Sequence, residues 1–128
     1  MRIGYAGKQY PEVRNIIEKV DGHDYIFCRD FYSMIRRLFL SSNISLDSDF
    51  IQNAEFAFKD FGFNNVDLIH FFNTVSFSST PWVTTFETVA PRFKGMLDWH
   101  KYGRRDIAQD SWILKAVKAM ASPSCKAL

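Results

Sequence analysis

Two polar side chains end two strongly apolar segments of the sequence, and both can form directional hydrogen bonds to a ligand. The segment 66–72 (VDLIHFF) is followed by Asn73, and the segment 82–87 (WVTTFE) ends in Glu87. A carboxamide donates and accepts hydrogen bonds, whereas a carboxylate only accepts them. Because a carboxylate at the end of an apolar strand needs solvent or polar partners, we favour a functional role for Glu87. For Asn73 the alternative is an Asx-turn, in which it bonds its own backbone.

A third candidate position follows the first apolar segment, residues 2–7 (RIGYAG). Gly7 and Lys8 stand where that segment ends, and small residues let a ligand approach backbone N–H groups. The alternative is that Gly7 only forms a turn. Thr74 and Thr88 each follow one of the two polar residues described above, so we include them as candidate binding residues.

A basic segment rich in aromatic residues, 91–105, is interpreted as a loop. It is a candidate surface for anionic lipid or an anionic substrate. The alternative, which we prefer slightly, is a solvated loop whose aromatic residues pack on the protein's own core. The basic residues concerned are Arg92, Lys94, Lys101, Arg104 and Arg105.

Strand-like segments alternate with helical ones along the chain. This alternation predicts an α/β, Rossmann-like domain with a mostly parallel sheet and helices on both faces. The nearly all-apolar segment 66–72 is typical of a strand buried on both faces, and His70 within it is interpreted as a core histidine. Ligands bind at the carboxyl ends of such strands, so Gly7, Asn73 and Glu87 are expected at one edge. The predicted strands are residues 2–7, 25–28, 66–72, 82–87 and a segment beginning near 124.

The helices are predicted from apolar periodicity. Residues 11–20 and 31–40 fit helices, the second with Arg36 and Arg37 facing outward. Residues 50–63 fit both a helix and a strand, and we prefer the helix. Residues 106–122 give the clearest helix. Its predicted core stripe is Ile107, Leu114, Val117 and Ala121, with Ile113 and Met120 beside it.

Composition excludes several classes of function. The chain has 128 residues, of which 47% are hydrophobic, and a net charge of +2 gives little support for nucleic-acid binding. Its two cysteines and three scattered histidines predict neither a disulfide framework nor a metal site. The sequence contains no dinucleotide-binding, P-loop or nucleophile-elbow motif. No apolar run is long enough to span a bilayer, and the segment 1–10 lacks the apolar stretch of a signal peptide, so we expect a cytoplasmic protein.

The segments VDLIHFFN, PWVTTFET and KAMASPSCKAL together resemble the N-terminal domain of glycosyltransferase family 4, the group 1 enzymes of GT-B fold. The resemblance covers residues 66–128 well and the first strand with its glycine loosely, whereas residues 21–65 match nothing in the family. It implies a single acceptor-side domain over residues 1–128, truncated inside its next strand. The donor-binding C-terminal domain would then be absent, and the fragment alone would be inactive.

The resemblance also implies a function for the parent protein. It would transfer a sugar from a nucleotide-sugar donor to a glycan, lipid or small-molecule acceptor, with retention, without a metal or other cofactor, as in polysaccharide biosynthesis. Gly7 would lie near the acceptor or the donor phosphates, and Asn73 would face the cleft. Glu87 stands where many members carry a histidine that contacts the reacting sugar, and Phe72 also replaces a frequent histidine. A peripheral location at the inner membrane face is compatible with the family.

Two other classes of protein remain open from the sequence. The first is a non-catalytic α/β interaction module of flavodoxin-like or response-regulator-like shape, although no acidic cluster of a phospho-acceptor site follows the first strand. The second, less favoured, is a nucleic-acid binder that uses the basic aromatic segment, which would bind with strong salt dependence.

Overall fold

The fold is an α/β layer structure built on five parallel strands. In the computed structural model, the residues described are 1–6, 21–42, 44, 47–103 and 106–128. The strands of the main sheet are β1 (Arg2–Tyr5), β2 (Asp24–Phe27), β4 (Leu68–Phe72), β6 (Trp82–Thr85) and β7 (Cys125–Ala127). Two short strands, β3 (Ala57–Phe58) and β5 (Val75–Ser76), form a separate parallel pair. The helices are α1 (Phe31–Ser41), α2 (Ser48–Glu55), α3 (Lys94–Tyr102) and α4 (Ser111–Met120), with a 3₁₀ turn at Ile107–Gln109.

The order of the main sheet is β2-β1-β4-β6-β7, and every neighbouring pair is parallel. If its strands are counted in chain order, the arrangement is 2-1-3-4-5. The direction of winding reverses between β1 and β4, so the carboxyl ends of these two strands flank a topological switch point. The predicted α/β, Rossmann-like class is therefore confirmed.

The core lies on one face of β4. Ile69 and Phe71 are fully buried, whereas Leu68, His70 and Phe72 on the opposite face are only partly buried. The ring of Phe71 lies 4.9 Å from that of Phe58, centroid to centroid. The paired short strands β3 and β5 therefore pack on this face of the sheet, and Ala57, Phe58 and Val75 belong to the same buried core as Ile69 and Phe71.

Several predicted elements agree with the structure to within two residues, and others do not. The predicted helix 50–63 is wrong beyond Glu55, because α2 ends there and β3 follows at once. Phe56 and Phe58, whose alternation made this segment ambiguous, lie at the C-cap of α2 and in β3. The helix predicted over 11–20 lies outside the described residues.

The interpretation of 91–105 as a loop is wrong, because α3 occupies much of it. The Lys94 amine lies 2.7 Å from the Asp98 carboxylate, an i,i+4 ion pair on one helix face. Gly103 then ends the helix in the left-handed conformation with φ 66°, as a C-terminal glycine does. Gly95 in the first turn lowers helix propensity, and its packing against α4 is a tertiary contact that periodicity does not reveal.

The predicted core stripe of the last helix is also wrong. Leu114 and Val117 are each 53% exposed, and the buried residues of α4 are Ile113 and Ala116. The helix begins at Ser111, because the carboxylate of Asp110 accepts hydrogen bonds from the N–H groups of the next turn. This cap separates α4 from the 3₁₀ turn before it.

Candidate functional site

Polar residues lie at the carboxyl ends of the adjacent strands β4 and β6. The sequence predicted this placement for Asn73, Thr74 and Glu87, which are among the residues that the structure describes. Asn73 and Thr74 follow β4, and Glu87 lies two residues beyond β6. The two strands are paired in register from Ile69 with Trp82 to Phe72 with Thr85. This pairing brings Asn73 and Glu87, 14 positions apart in the sequence, to one edge of the sheet.

Asn73 holds the two strand ends together. Its backbone N–H donates to the carbonyl of Thr85 at 2.8 Å, which extends the β4–β6 ladder by one residue. Its side-chain Oδ1 accepts a hydrogen bond from the backbone N–H of Glu87 at 2.9 Å. The residue is 2% exposed and adopts φ 58°, a conformation that asparagine tolerates better than most residues. This bond joins two strand ends, so the alternative of an Asx-turn is wrong.

Glu87 carries an exposed carboxylate whose position is set by one arginine. Its Oε2 lies 3.0 Å from Nη1 of Arg92, and the Glu87 side chain is 57% exposed. The Arg92 guanidinium in turn lies over the ring of Phe56, 5.5 Å from its centroid. The arginine is thus fixed by a cation–π contact on one side, and the carboxylate is oriented while remaining open to solvent.

A partly enclosed cavity of about 250 Å³ lies beside the switch point. It lies against the ends of β1, β2 and β4 and against α1 and α2. Among the predicted site residues described, Thr74 lines it and Glu87 does not. Other charged and polar residues that line this cavity had not been predicted as site residues. They are Cys28, Asp30, Ser33, Arg36, Arg37 and Glu55.

Burial controls the titration of two groups in this cavity wall. The pKa of the Cys28 thiol rises to about 11, first because the group is buried and second because Asp60 lies near it. The thiol therefore stays protonated at neutral pH and is a poor nucleophile. Burial also raises the pKa of Asp30, although hydrogen bonds from Ser33 and from backbone N–H groups oppose that shift. Neither group has the lowered pKa of an activated nucleophile.

Sequence reasoning missed these residues because it placed Arg36 and Arg37 on the outside of their helix. Arg36 is instead half-buried, and both residues line the cavity, although Arg37 is mostly exposed. The doubly wound rule could have located them. Helix α1 follows the carboxyl end of β2 after only Cys28, Arg29 and Asp30, which places its first turns near the ligand-binding edge.

The structure describes only some of the other predicted site residues. Gly7 and Lys8 lie outside the described residues, as do Arg104 and Arg105. Thr88 is exposed beyond β6.

The three described members of the predicted anionic surface have different local partners, and the surface itself stays a prediction. Arg92 pairs with Glu87, and Lys94 pairs with Asp98 and lies 3.8 Å from Asp49. Lys101 is exposed, with its amine over the ring of Tyr102. Two of these cations therefore stabilise local structure.

Comparisons of the chain with protein families, with curated proteins and with solved structures found no match. Within the described part of the chain, no group of three or more His, Cys, Asp or Glu side chains is arranged to hold a metal ion. None of the helices described is long and apolar enough to cross a membrane. The function must therefore be inferred from the site itself.

Proposed function

We propose that this chain is the acceptor-side domain of a glycosyltransferase that transfers a sugar from a nucleotide-sugar donor to a glycan, lipid or small-molecule acceptor. The observation that carries the proposal is the meeting of Asn73 and Glu87 at the carboxyl edge of a parallel, doubly wound sheet. This edge is where such sheets bind ligands. The cavity beside the switch point supplies an enclosed space on the same edge.

In this proposal the Glu87 carboxylate accepts a hydrogen bond from a sugar hydroxyl or from the nucleophilic hydroxyl of the acceptor. A carboxylate is acceptor-only when ionised, so it orients a hydroxyl by its proton and increases the electron density on its oxygen. Arg92 and the backbone bond to Asn73 fix the direction of the carboxylate before a ligand arrives. Such preorganisation lowers the entropic cost of reaching the reactive geometry. The remaining donor contacts would come from a second domain that closes over this edge.

The test is an assay of the protein encoded by the complete gene against a panel of nucleotide sugars. We expect one donor to be consumed, and Glu87→Gln to reduce kcat/KM by about a hundredfold, as for loss of a positioned general-base or hydrogen-bonding group. Asp24→Asn is the matched control, because it removes an exposed carboxylate at the opposite, amino-terminal edge of the sheet. Absence of turnover with every donor, or full activity of Glu87→Gln, would reject the proposal.

One observation favours a second candidate, a non-catalytic interaction module. The 2-1-3-4-5 strand order is that of flavodoxin-like and receiver domains. This candidate predicts a protein that binds no nucleotide sugar and whose partner affinity is unaffected by Glu87→Gln. Isothermal titration with the same donor panel distinguishes the two, since the glycosyltransferase proposal requires saturable binding of one donor.

A further inference from the structure

Two arginines at adjacent positions of α1, Arg36 and Arg37, line the cavity at the switch point. The Nε atom of Arg36 is shielded from solvent and has no hydrogen-bond partner. In the described part of the chain, no ion pair joins Arg36 or Arg37 to a carboxylate. A buried donor without an acceptor is unfavourable, and a ligand in the cavity could supply the missing acceptor.

The carboxylates that share the cavity wall are engaged elsewhere. The side chain of Asp30 accepts hydrogen bonds from the backbone N–H groups of Tyr32, Ser33 and Lys59 at 3.0, 3.2 and 3.3 Å. It therefore caps α1 and joins that helix to the end of β3. Glu55 also has an interaction partner. The two arginines therefore favour an anionic ligand in the cavity. Asp30 and Glu55 would repel such a ligand to some extent.

We propose that this cavity binds the phosphate group of a small phosphorylated molecule through Arg36 and Arg37. The planar guanidinium matches the oxygen spacing of a phosphate and can bind it with two parallel hydrogen bonds. A cavity of about 250 Å³ holds a phosphate with part of its ester group, and the small side chain of Ala6 leaves the end of β1 open to it. We take this molecule to be the acceptor of the transfer, and that assignment rests on the proposed function. Phosphate binding itself rests only on the cavity.

The inference is tested by titrating the protein with inorganic phosphate and with a hexose 6-phosphate, with the free hexose as a reference. Binding is followed by calorimetry and by the NMR signal of the Arg36 Nε–H group. We expect both phosphates to shift this signal saturably and the free hexose to leave it unchanged. Tighter binding of the ester identifies a phosphorylated molecule as the ligand. Equal binding supports the phosphate site and assigns it to the free anion.

Three substitutions test the role of the arginines. Arg36→Gln is expected to weaken phosphate binding about tenfold or more, because a charge-assisted hydrogen-bond pair is lost. Arg36→Lys keeps the positive charge but loses the planar pair of N–H donors, so its phosphate affinity should lie between those of the wild type and Arg36→Gln. Arg37→Gln should weaken phosphate binding less, because the side chain of Arg37 is more exposed. Arg29→Gln removes the same charge from an exposed residue outside the cavity and should bind as the wild type does. Amide NMR spectra of each variant verify the fold.

The outcome separates this inference from the proposed glycosyltransferase activity. An unmoved Arg36 signal, or wild-type phosphate affinity in both Arg36→Gln and Arg37→Gln, would overturn the inference whether or not the protein transfers sugar. Conversely, phosphate binding that depends on Arg36 in a protein with no transferase activity would uphold the phosphate site and reject only the assignment of its ligand as an acceptor.

Discussion

The side-chain oxygen of Asn73 accepts a hydrogen bond from the backbone N–H of Glu87 at 2.9 Å, and this bond joins the ends of two neighbouring parallel strands. The carboxamide is buried, whereas the carboxylate that follows β6 is exposed and faces Arg92. The two polar residues that end the apolar segments thus have different roles. Asn73 builds the edge of the sheet, and Glu87 is the group that this edge presents.

Substitution of Asn73 by alanine is expected to lower the free energy of unfolding by about 2–3 kcal/mol. The partly buried N–H of Glu87 loses its acceptor, which costs about 1–3 kcal/mol, and alanine is strained at φ 58°. Urea unfolding followed by tryptophan fluorescence measures the loss. Asn73→Gly serves as the comparison, since glycine removes the acceptor but accepts the left-handed conformation. It should be less destabilising than alanine by about 1 kcal/mol, and equal losses would show that backbone strain plays no part.

Glu87→Gln should change stability very little, by less than about 0.5 kcal/mol. The Glu87–Arg92 pair is largely exposed on the carboxylate side, and exposed ion pairs contribute about 0–1 kcal/mol. The measurement is the same urea unfolding experiment, made on the protein used for the activity assay. A large loss of stability would mean that reduced activity in this variant reflects unfolding instead of a lost contact with substrate.

Gly4→Ala is expected to destabilise the fold by about 1–3 kcal/mol through overpacking. A Cβ atom at this position would lie 2.5 Å from Sγ of Cys28 and 3.2 Å from a methyl group of Val66. Cys28 comes from the end of β2, so the absence of a side chain at Gly4 lets the chain after β2 pack directly on β1. Thermal unfolding measures the change.

A double-mutant cycle tests the cause of that loss. Cys28→Ala removes the sulfur that the new methyl group would meet, so Gly4→Ala should be less costly by about 1 kcal/mol in a Cys28→Ala background. Relief should be incomplete because Val66 and Ile69 remain close. Strict additivity of the two substitutions would contradict the proposed clash.

The stability of the fold should decrease as the pH falls through the ordinary pKa of histidine, 6.5, because of His70. Burial lowers the pKa of this imidazole in the folded state. The unfolded chain therefore binds a proton at a higher pH than the folded chain does, which favours unfolding as the pH falls below 6.5. The effect reaches its full size once the pH is below the lowered pKa of the folded state.

Urea unfolding at pH 7.5 and 5.5 measures this dependence, and His70→Gln is the variant that isolates it. The variant should lose part of the difference in unfolding free energy between the two pH values. The remaining difference belongs to the other titrating groups. An unchanged pH dependence in His70→Gln would assign the effect to those groups alone.

The amino-acid sequence by itself determined the class of fold and most of its strands. Alternating apolar segments with β-branched and aromatic residues predicted β1, β2, β4, β6 and β7, and the parallel arrangement placed Asn73 and Glu87 at one edge. Local pattern suffices here because a strand buried in a parallel sheet must be apolar along its length. Where the segments end, polar residues can only meet solvent, each other or a ligand.

The tertiary structure alone decided which side chains are used and how. Leu114 and Val117 satisfy the helical period as well as Ile113 and Ala116 do, and only the docking of α4 selects the second pair. Arg36 lines the cavity in the folded chain, although the apolar period of its helix by itself had placed it on the outside. Apolar periodicity predicts which residues share a face of the same helix or strand. Burial and pairing depend on residues distant in sequence, which is why the partner of Asn73 was found only in the folded chain.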